Sequence, residues 1–393
     1  MSSPDVLAPA RLGPVELRNR VIKAATFEAK TPGGFVTPEL IDYHLAVAEG
    51  GVGMTTVAYL AVAEEGPTGA GGIIVDQRRA RGLGQLAEAV HATGAKISGQ
   101  LGHAGPVANG RSNGVRALAA SKSYSPLSWQ WVHAATEDDL RRIIRQYAEA
   151  ARILVDAGFD ALEIHLAHSY LISSFLAPGL NQRRDQWGGS LPNRARLARE
   201  VARAVRREVG DEAAVYAKIS LNDAFRGGVG EGEALEVALM LESDRTLDAF
   251  QMTGGSSLRN PMYLFRGDAP RKEFAAAMSQ PLRTLMRLGG ARFLKEYPFE
   301  EAYFRSQAKI WREDLETPLM LLGGINEKAT MDQAMADGFD FVVMGRALLR
   351  EPDLINRMAA QQTDRGVCIH CNLCMPTIYT EGGTHCPIRM APN

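Results

Sequence analysis

Eight short apolar runs, each followed by a longer amphipathic segment, recur along the chain from about residue 20 onward. The runs predict strands over Val21–Thr26, Gly53–Ala58, Ala95–Leu101, Ala161–His165, Ala214–Ile219, Ala249–Thr253, Leu319–Leu322 and Phe341–Met344. Helices are expected over Pro38–Ala48, Arg79–Ala92, Pro192–Val209, Glu231–Ser243 and Phe299–Glu316. Another starts at Thr136, where Asp139 three residues on makes a capping pair, and runs to Ala157. Strands buried on both faces and separated by helices must pair in parallel through right-handed crossovers. Eight such units over some 340 residues predict an α/β fold, a (β/α)8 TIM barrel with inserted loops. A doubly wound open sheet is the competing arrangement. No G-x-G-x-x-G lies between an early strand and a helix, and the glycines at 66–72 lack that spacing.

All four cysteines fall near the end, as Cys368-x2-Cys371-x2-Cys374-x11-Cys386. Thiolates spaced by two residues can fold around one compact centre, and a tetrahedral zinc or an iron–sulfur cluster accepts four of them. The expected division is a barrel over residues 1–365 and a cysteine-rich tail over 366–393. With ligand-type cysteines and no scattered pairs, a reducing interior is expected. Residues 1–20 lack the apolar core of a signal peptide, and the apolar stretch at 52–63 is too short to cross a bilayer. A cytoplasmic protein without membrane partners follows as the expectation. A net charge of −1 provides no basic field for nucleic acid.

Barrel chemistry collects at the C-terminal ends of the strands, and those ends are rich in polar residues and glycine. His165 closes the fourth strand, with His168 and Tyr170 just beyond it. Paired imidazoles can hold the oxygen of a carbonyl or nitro group, and a phenol can protonate a developing carbanion. Two satisfied core histidines are the plainer reading of the same pair. Gly323–Gly324 and Gly345–Arg346 follow the last two strands, where barrels bind phosphate through bare amides and a helix terminus.

Several strings resemble the Old Yellow Enzyme flavoprotein family. They are Asn19–Ile22, Gln100–Gly105, Glu163–His168, Tyr170–Leu171, Phe175–Leu176, Asn181–Arg183, Asp185–Ser190 and Asn193–Arg194. The cysteine tail is similar to the branch containing 2,4-dienoyl-CoA reductase and trimethylamine dehydrogenase, which implies an iron–sulfur cluster over zinc. The resemblance implies FMN as cofactor, with Gln100 on the flavin pyrimidine edge and Ala25 and Thr26 beside the ring. Lys218 would stand near flavin N1, and Gly324, Gly345 and Arg346 would hold the phosphate. Lys218 replaces a more usual arginine, Phe27 a more usual Cys or Thr, and Ala25 a frequent proline.

These implications predict an NAD(P)H-linked ene-reductase acting on a small-molecule enone or enoyl substrate. One alternative is a dehydrogenase or demethylase that passes electrons through the cluster to a partner protein. Another is a non-redox phosphate-binding barrel with structural zinc. The chain ends at Asn393, where large relatives continue into further domains, so a separate electron-transfer protein is expected. A homo-oligomer is expected as well. The insertion over 256–298, rich in Met and aromatic residues, reads either as a lid or as a packing or dimer element.

Overall fold

The computed structural model describes residues 3–125, 128–278, 280 and 282–388. Eight parallel strands close into a barrel in chain order. They are β1 (Val21–Lys23), β2 (Met54–Ala61), β3 (Lys96–Gly102), β4 (Ala161–Leu166), β5 (Ala214–Ser220), β6 (Ala249–Thr253), β7 (Leu319–Leu322) and β8 (Phe341–Met344). The principal outer helices are α1 (Pro38–Glu49), α2 (Gln77–His91), α3 (Glu137–Asp156), α4 (Leu191–Val209), α5 (Glu231–Ser243), α6 (Arg305–Asp314) and α7 (Lys328–Ala336). The barrel read from the apolar runs is therefore present, and α3 carries the expected reciprocal Thr136–Asp139 cap. No helix among the described residues is long and apolar enough to cross a membrane.

Alternation along each strand sorts side chains into two sets. Leu162, Ile164, Val215, Ala217, Phe250 and Leu321 join the outer core against the helices. Ile22, Ala161, Tyr216, Ala249, Met320 and Phe341 form an inner cluster. A hairpin pairing Ala10–Leu12 with Val15–Leu17 adds Leu12 and Leu17 to that inner cluster. It plugs one end of the barrel, so the interior is filled and only the other end is free for chemistry.

Three stretches differ from the expectation. β1 stops at Lys23, three residues early. Glu28 then accepts the Ala58 amide, at 3.0 Å to Oε1 and 3.2 Å to Oε2. The polar loop after β3 contains a small sheet of Leu118–Ala119, Ser123–Ser125 and Gln130–Ala134. Arg183 Nη1 pins that excursion through the carbonyls of Ala120 (3.2 Å) and Ala135 (2.6 Å). The insertion after β6 folds into helices Arg271–Ala277 and Leu282–Phe293, whose Phe274 and Leu294 pack with Met375 of the tail. The insertion is thus docked on the tail.

Phe250 is fully buried and meets the Trp311 ring edge-on at 6.5 Å. Phe250→Ala should lower stability by about 3–5 kcal/mol through lost burial and a residual cavity. Urea denaturation followed by tryptophan fluorescence measures the loss.

Candidate active site

The inward positions above the apolar floor are polar and mutually bonded. Glu163, fully buried on β4, lies 2.9 Å from Lys218 Nζ on β5 and accepts a short bond from the Gln100 amide on β3. With its amide oxygen turned to Lys218 (3.0 Å), Gln251 on β6 donates to Glu163 Oε2 at 3.1 Å. Register explains the assembly: Gln100 stands opposite Glu163, and Lys218 opposite Gln251. A charge pair this deep tolerates removal of neither partner, since the survivor would remain uncompensated. Beside Glu163, the Tyr216 hydroxyl is 2.9 Å from Ser98 Oγ.

The next inward positions form the rim. His165 Nε2 is 2.9 Å from His168 Nδ1, and His168 Nε2 is 3.0 Å from Thr253 Oγ1 on β6. His168 and Ser169 both hold positive φ, 63° and 61°, an uncommon backbone for such residues. Ser169 Oγ meets Ser256 Oγ at 2.6 Å, and Ser257 N donates to the His168 carbonyl at 3.1 Å, which fixes the turn. Tyr170 sits edge-on to His165 with centroids 4.6 Å apart. His165 Nδ1 is buried and has no partner among the described residues. Were Thr253 to donate to His168, and His168 to His165, the remaining imidazole proton would lie on that Nδ1.

Burial holds the His165 imidazole well below its ordinary range, with His168 and Lys218 adding repulsion. Burial, then Lys218, pushes His168 down to about 3. Burial raises the Tyr170 phenol, so it keeps its proton at neutral pH. Ala25 packs in the same cluster as Tyr170, and Thr26 Oγ1 lies 3.1 Å from the Tyr43 hydroxyl behind β1.

At the ends of β7 and β8, Gly323 and Gly324 have positive φ (129° and 78°). A β-carbon on Gly324 would stand 2.7 Å from the Phe299 and Tyr303 rings, so only glycine is accommodated there. Gly345 faces more open space, with Thr26 Cγ2 3.7 Å from where its β-carbon would be. Arg346 Nη1 donates to the carbonyls of Phe265 (3.2 Å) and Arg266 (2.8 Å) and to Asn372 Oδ1 in the tail.

The structure brings Gln100, Lys218, His165, His168 and Tyr170 to one mouth, with Ala25 beside them. Gly323, Gly324, Gly345 and Arg346 lie on its β7–β8 side. These residues fit a flavin nucleotide: a buried imidazole nitrogen without a partner among the described residues, a buried cation, and an uncrowded edge at Gly345 beside the Arg346 guanidinium. The tail differs from its expectation. Cys368, Cys371, Cys374 and Cys386 are free thiols, and no three His, Cys, Asp or Glu side chains among the described residues are arranged to hold a metal ion. The four are nonetheless neighbours: burial pushes Cys374 up to about 12, opposed by Arg346 and reinforced by the charges of Cys368, Cys386 and Cys371. Their donor chemistry suits a cluster, although the sulfurs are not drawn into one ligand set. The tail's residues 389–393 lie outside the described residues.

Glu163, Gln251 and Thr253 were not among the expected site residues. Each sits in an apolar strand at an inward position, so a carboxylate inside Ala161–Leu166 was the available signal.

Neutral imidazoles and a protonated phenol above a buried cation suit transient negative charge, the demand of hydride transfer from a reduced flavin. That class of enzyme is the one the comparisons define. The chain belongs to the NADH:flavin oxidoreductase / NADH oxidase family, whose profile matches residues 5–253. It is 47% identical over 389 residues to the 4,4'-dithiodibutanoate disulfide reductase of Rhodococcus erythropolis, covering 99% of this chain and 96% of that one. It is 29% identical to a metal reductase of Desulforamulus reducens, of which it spans 53%. The Old Yellow Enzyme homologue of Zymomonas mobilis has the same fold, with TM-score 0.75 at 21% identity over 98% of both chains. The protein is accordingly a flavoprotein oxidoreductase.

A depressed histidine binds its proton in the unfolded chain before it does in the folded one. Stability should therefore fall as pH drops below about 6.5, the ordinary histidine value, and continue falling toward 3. His168→Asn should flatten that part of the profile, as read by urea midpoints between pH 7 and 4.

Proposed function

We propose that the chain is an FMN-dependent reductase that consumes NAD(P)H and acts on an activated C=C bond of an enone or enoyl compound. The observation carrying this reading is His165 Nδ1, buried at the barrel mouth beside the Tyr170 phenol and without a partner among the described residues. Bound there, FMN would supply hydride to the β-carbon of the alkene.

His165 would donate its Nδ1 proton in a hydrogen bond to the activating carbonyl, a contact that strengthens as charge gathers on the oxygen. His168, held by Thr253, would fix the tautomer of His165. Tyr170 would protonate the α-carbon, and burial keeps its phenol protonated until then. Gln100 and Lys218 would face the flavin pyrimidine edge, Ala25 and Thr26 its ring, and Gly323, Gly324, Gly345 and Arg346 its phosphate. His165→Ala should retain FMN but lose on the order of 10²–10³ in alkene reduction rate. Stopped-flow reoxidation of the NADH-reduced variant measures this, and an FMN-replete variant of undiminished rate would remove His165 from the site.

A second reading is favoured by the full-length likeness to the Rhodococcus enzyme. The acceptor would be an organic disulfide: hydride adds to one sulfur, the S–S bond breaks, and the departing thiolate takes its proton from Tyr170. Anaerobic mixing of reduced enzyme with an enone, a dienoyl thioester and 4,4'-dithiodibutanoate separates the two. Reoxidation by the disulfide alone would overturn the alkene reading.

For the tail we propose a 4Fe-4S cluster on Cys368, Cys371, Cys374 and Cys386, supported by their spacing and thiolate donor chemistry. Protein purified without oxygen should contain iron and acid-labile sulfide. Cys374→Ala should lose both while keeping FMN; zinc in their place would refute the assignment.

A further inference from the structure

Two arginines adjoin on the β7–β8 side of the mouth, and only Arg346 has been given a role there. Arg266 belongs to the insertion. Its backbone carbonyl accepts from Arg346 Nη1 at 2.8 Å, so the two residues occupy adjoining positions. Its guanidinium carbon lies 5.1 Å from the Tyr263 ring centroid, 5.1 Å from that of Tyr303 and 5.9 Å from that of Phe304. Contact through ring faces orients the cation without using its N–H donors. Its Nε is buried and has no partner among the described residues. Neither arginine has a carboxylate within 4.0 Å among the described residues.

Tyr303 locates the pair. Its hydroxyl donates to the Leu264 carbonyl at 2.6 Å, and its ring edge stands 2.7 Å from the β-carbon position of Gly324. Burial pushes its phenol up, while Arg346 and then Arg266 pull it back, so both cations act at one point. Two adjoining cations, one with a buried and unused donor, are costly without an anion. A phosphate monoester carries nearly two negative charges, and its oxygens match the planar guanidinium fork.

We propose that Arg266 is the second cation of the phosphate site, gripping the phosphate monoester of the flavin nucleotide together with Arg346. The proposal rests on FMN occupying this barrel mouth. The insertion, docked on the tail, would then complete the cofactor site. Asn372 supports the assembly: its amide donates to the Phe265 carbonyl and, at 2.9 Å, to that of Asp268, while its oxygen accepts from Arg346.

The test compares FMN with riboflavin, which lacks the phosphate. Holoenzyme, as purified or after exchange with riboflavin, is diluted and flavin release is followed by fluorescence recovery. R266Q should release FMN on the order of tenfold faster or more, the scale of one charged hydrogen bond, and release riboflavin at the wild-type rate. R266K, which keeps the charge for the aromatic cage, should show the same selective effect more weakly. It serves alone if R266Q does not fold. Unchanged FMN release, or equal acceleration for both flavins, would overturn the proposal. Wild-type protein that binds neither flavin would instead overturn the cofactor reading beneath it.

Discussion

A carboxylate with no exposed surface, Glu163, organises the interior of this barrel. Placing it there costs several kcal/mol of hydration, which only close partners can offset. Lys218, Gln100 and Gln251 provide those partners from three other strands, so their ends are tied to one oxygen pair. A one-residue slip of β4 would break every one of these bonds, a slip of β3, β5 or β6 the bond that its own residue makes, and either would reverse the slipped strand's inward set. The same pairing keeps Lys218 beneath His165 and His168, where its charge helps hold both imidazoles neutral. Fold specification and site electrostatics thus share one ion pair.

Above that layer the mouth is built from segments that are not part of the barrel. The turn carrying His168 is fixed by Ser256 and Ser257 at the root of the insertion. The insertion packs on the tail, with Phe274 edge-on to Tyr379 at 5.7 Å, and the tail reaches Arg346 through Asn372. His370, in the same turn, stacks on Phe299 with centroids 3.4 Å apart and ring planes 10° from parallel. The region read from sequence as either a lid or a packing element touches both the His168 turn and the cysteine tail.

The fold was legible because every barrel strand is apolar on its outer face and bounded by helical spacing. Strand ends were less so: β1 and β2 differ from expectation where Glu28 binds Ala58, a contact between distant positions that local pattern does not encode. Histidines at a strand tip and glycines before a helix were visible in the same way. Glu163, Gln251 and Thr253 escaped notice because their importance comes from strand register, which exists only once the barrel closes. Lys218 was found, but its partner was not. The cysteines were found by spacing alone, yet the contacts that seat them, through Asn372 and Thr384, come from polar residues with no motif.

The tail also binds back to the loop after β1. Thr384 donates through its amide to the Glu28 carbonyl at 2.8 Å, and through its hydroxyl to the Phe27 carbonyl at 2.6 Å. The hydroxyl bond joins positions 357 residues apart. At synthesis speeds of roughly 5–20 residues per second, Phe27 must wait on the order of tens of seconds before Thr384 emerges from the ribosome. Thr384 lies beyond β8 (Phe341–Met344), the strand that closes the barrel, so this wall of the mouth is fastened only after every barrel strand has been made.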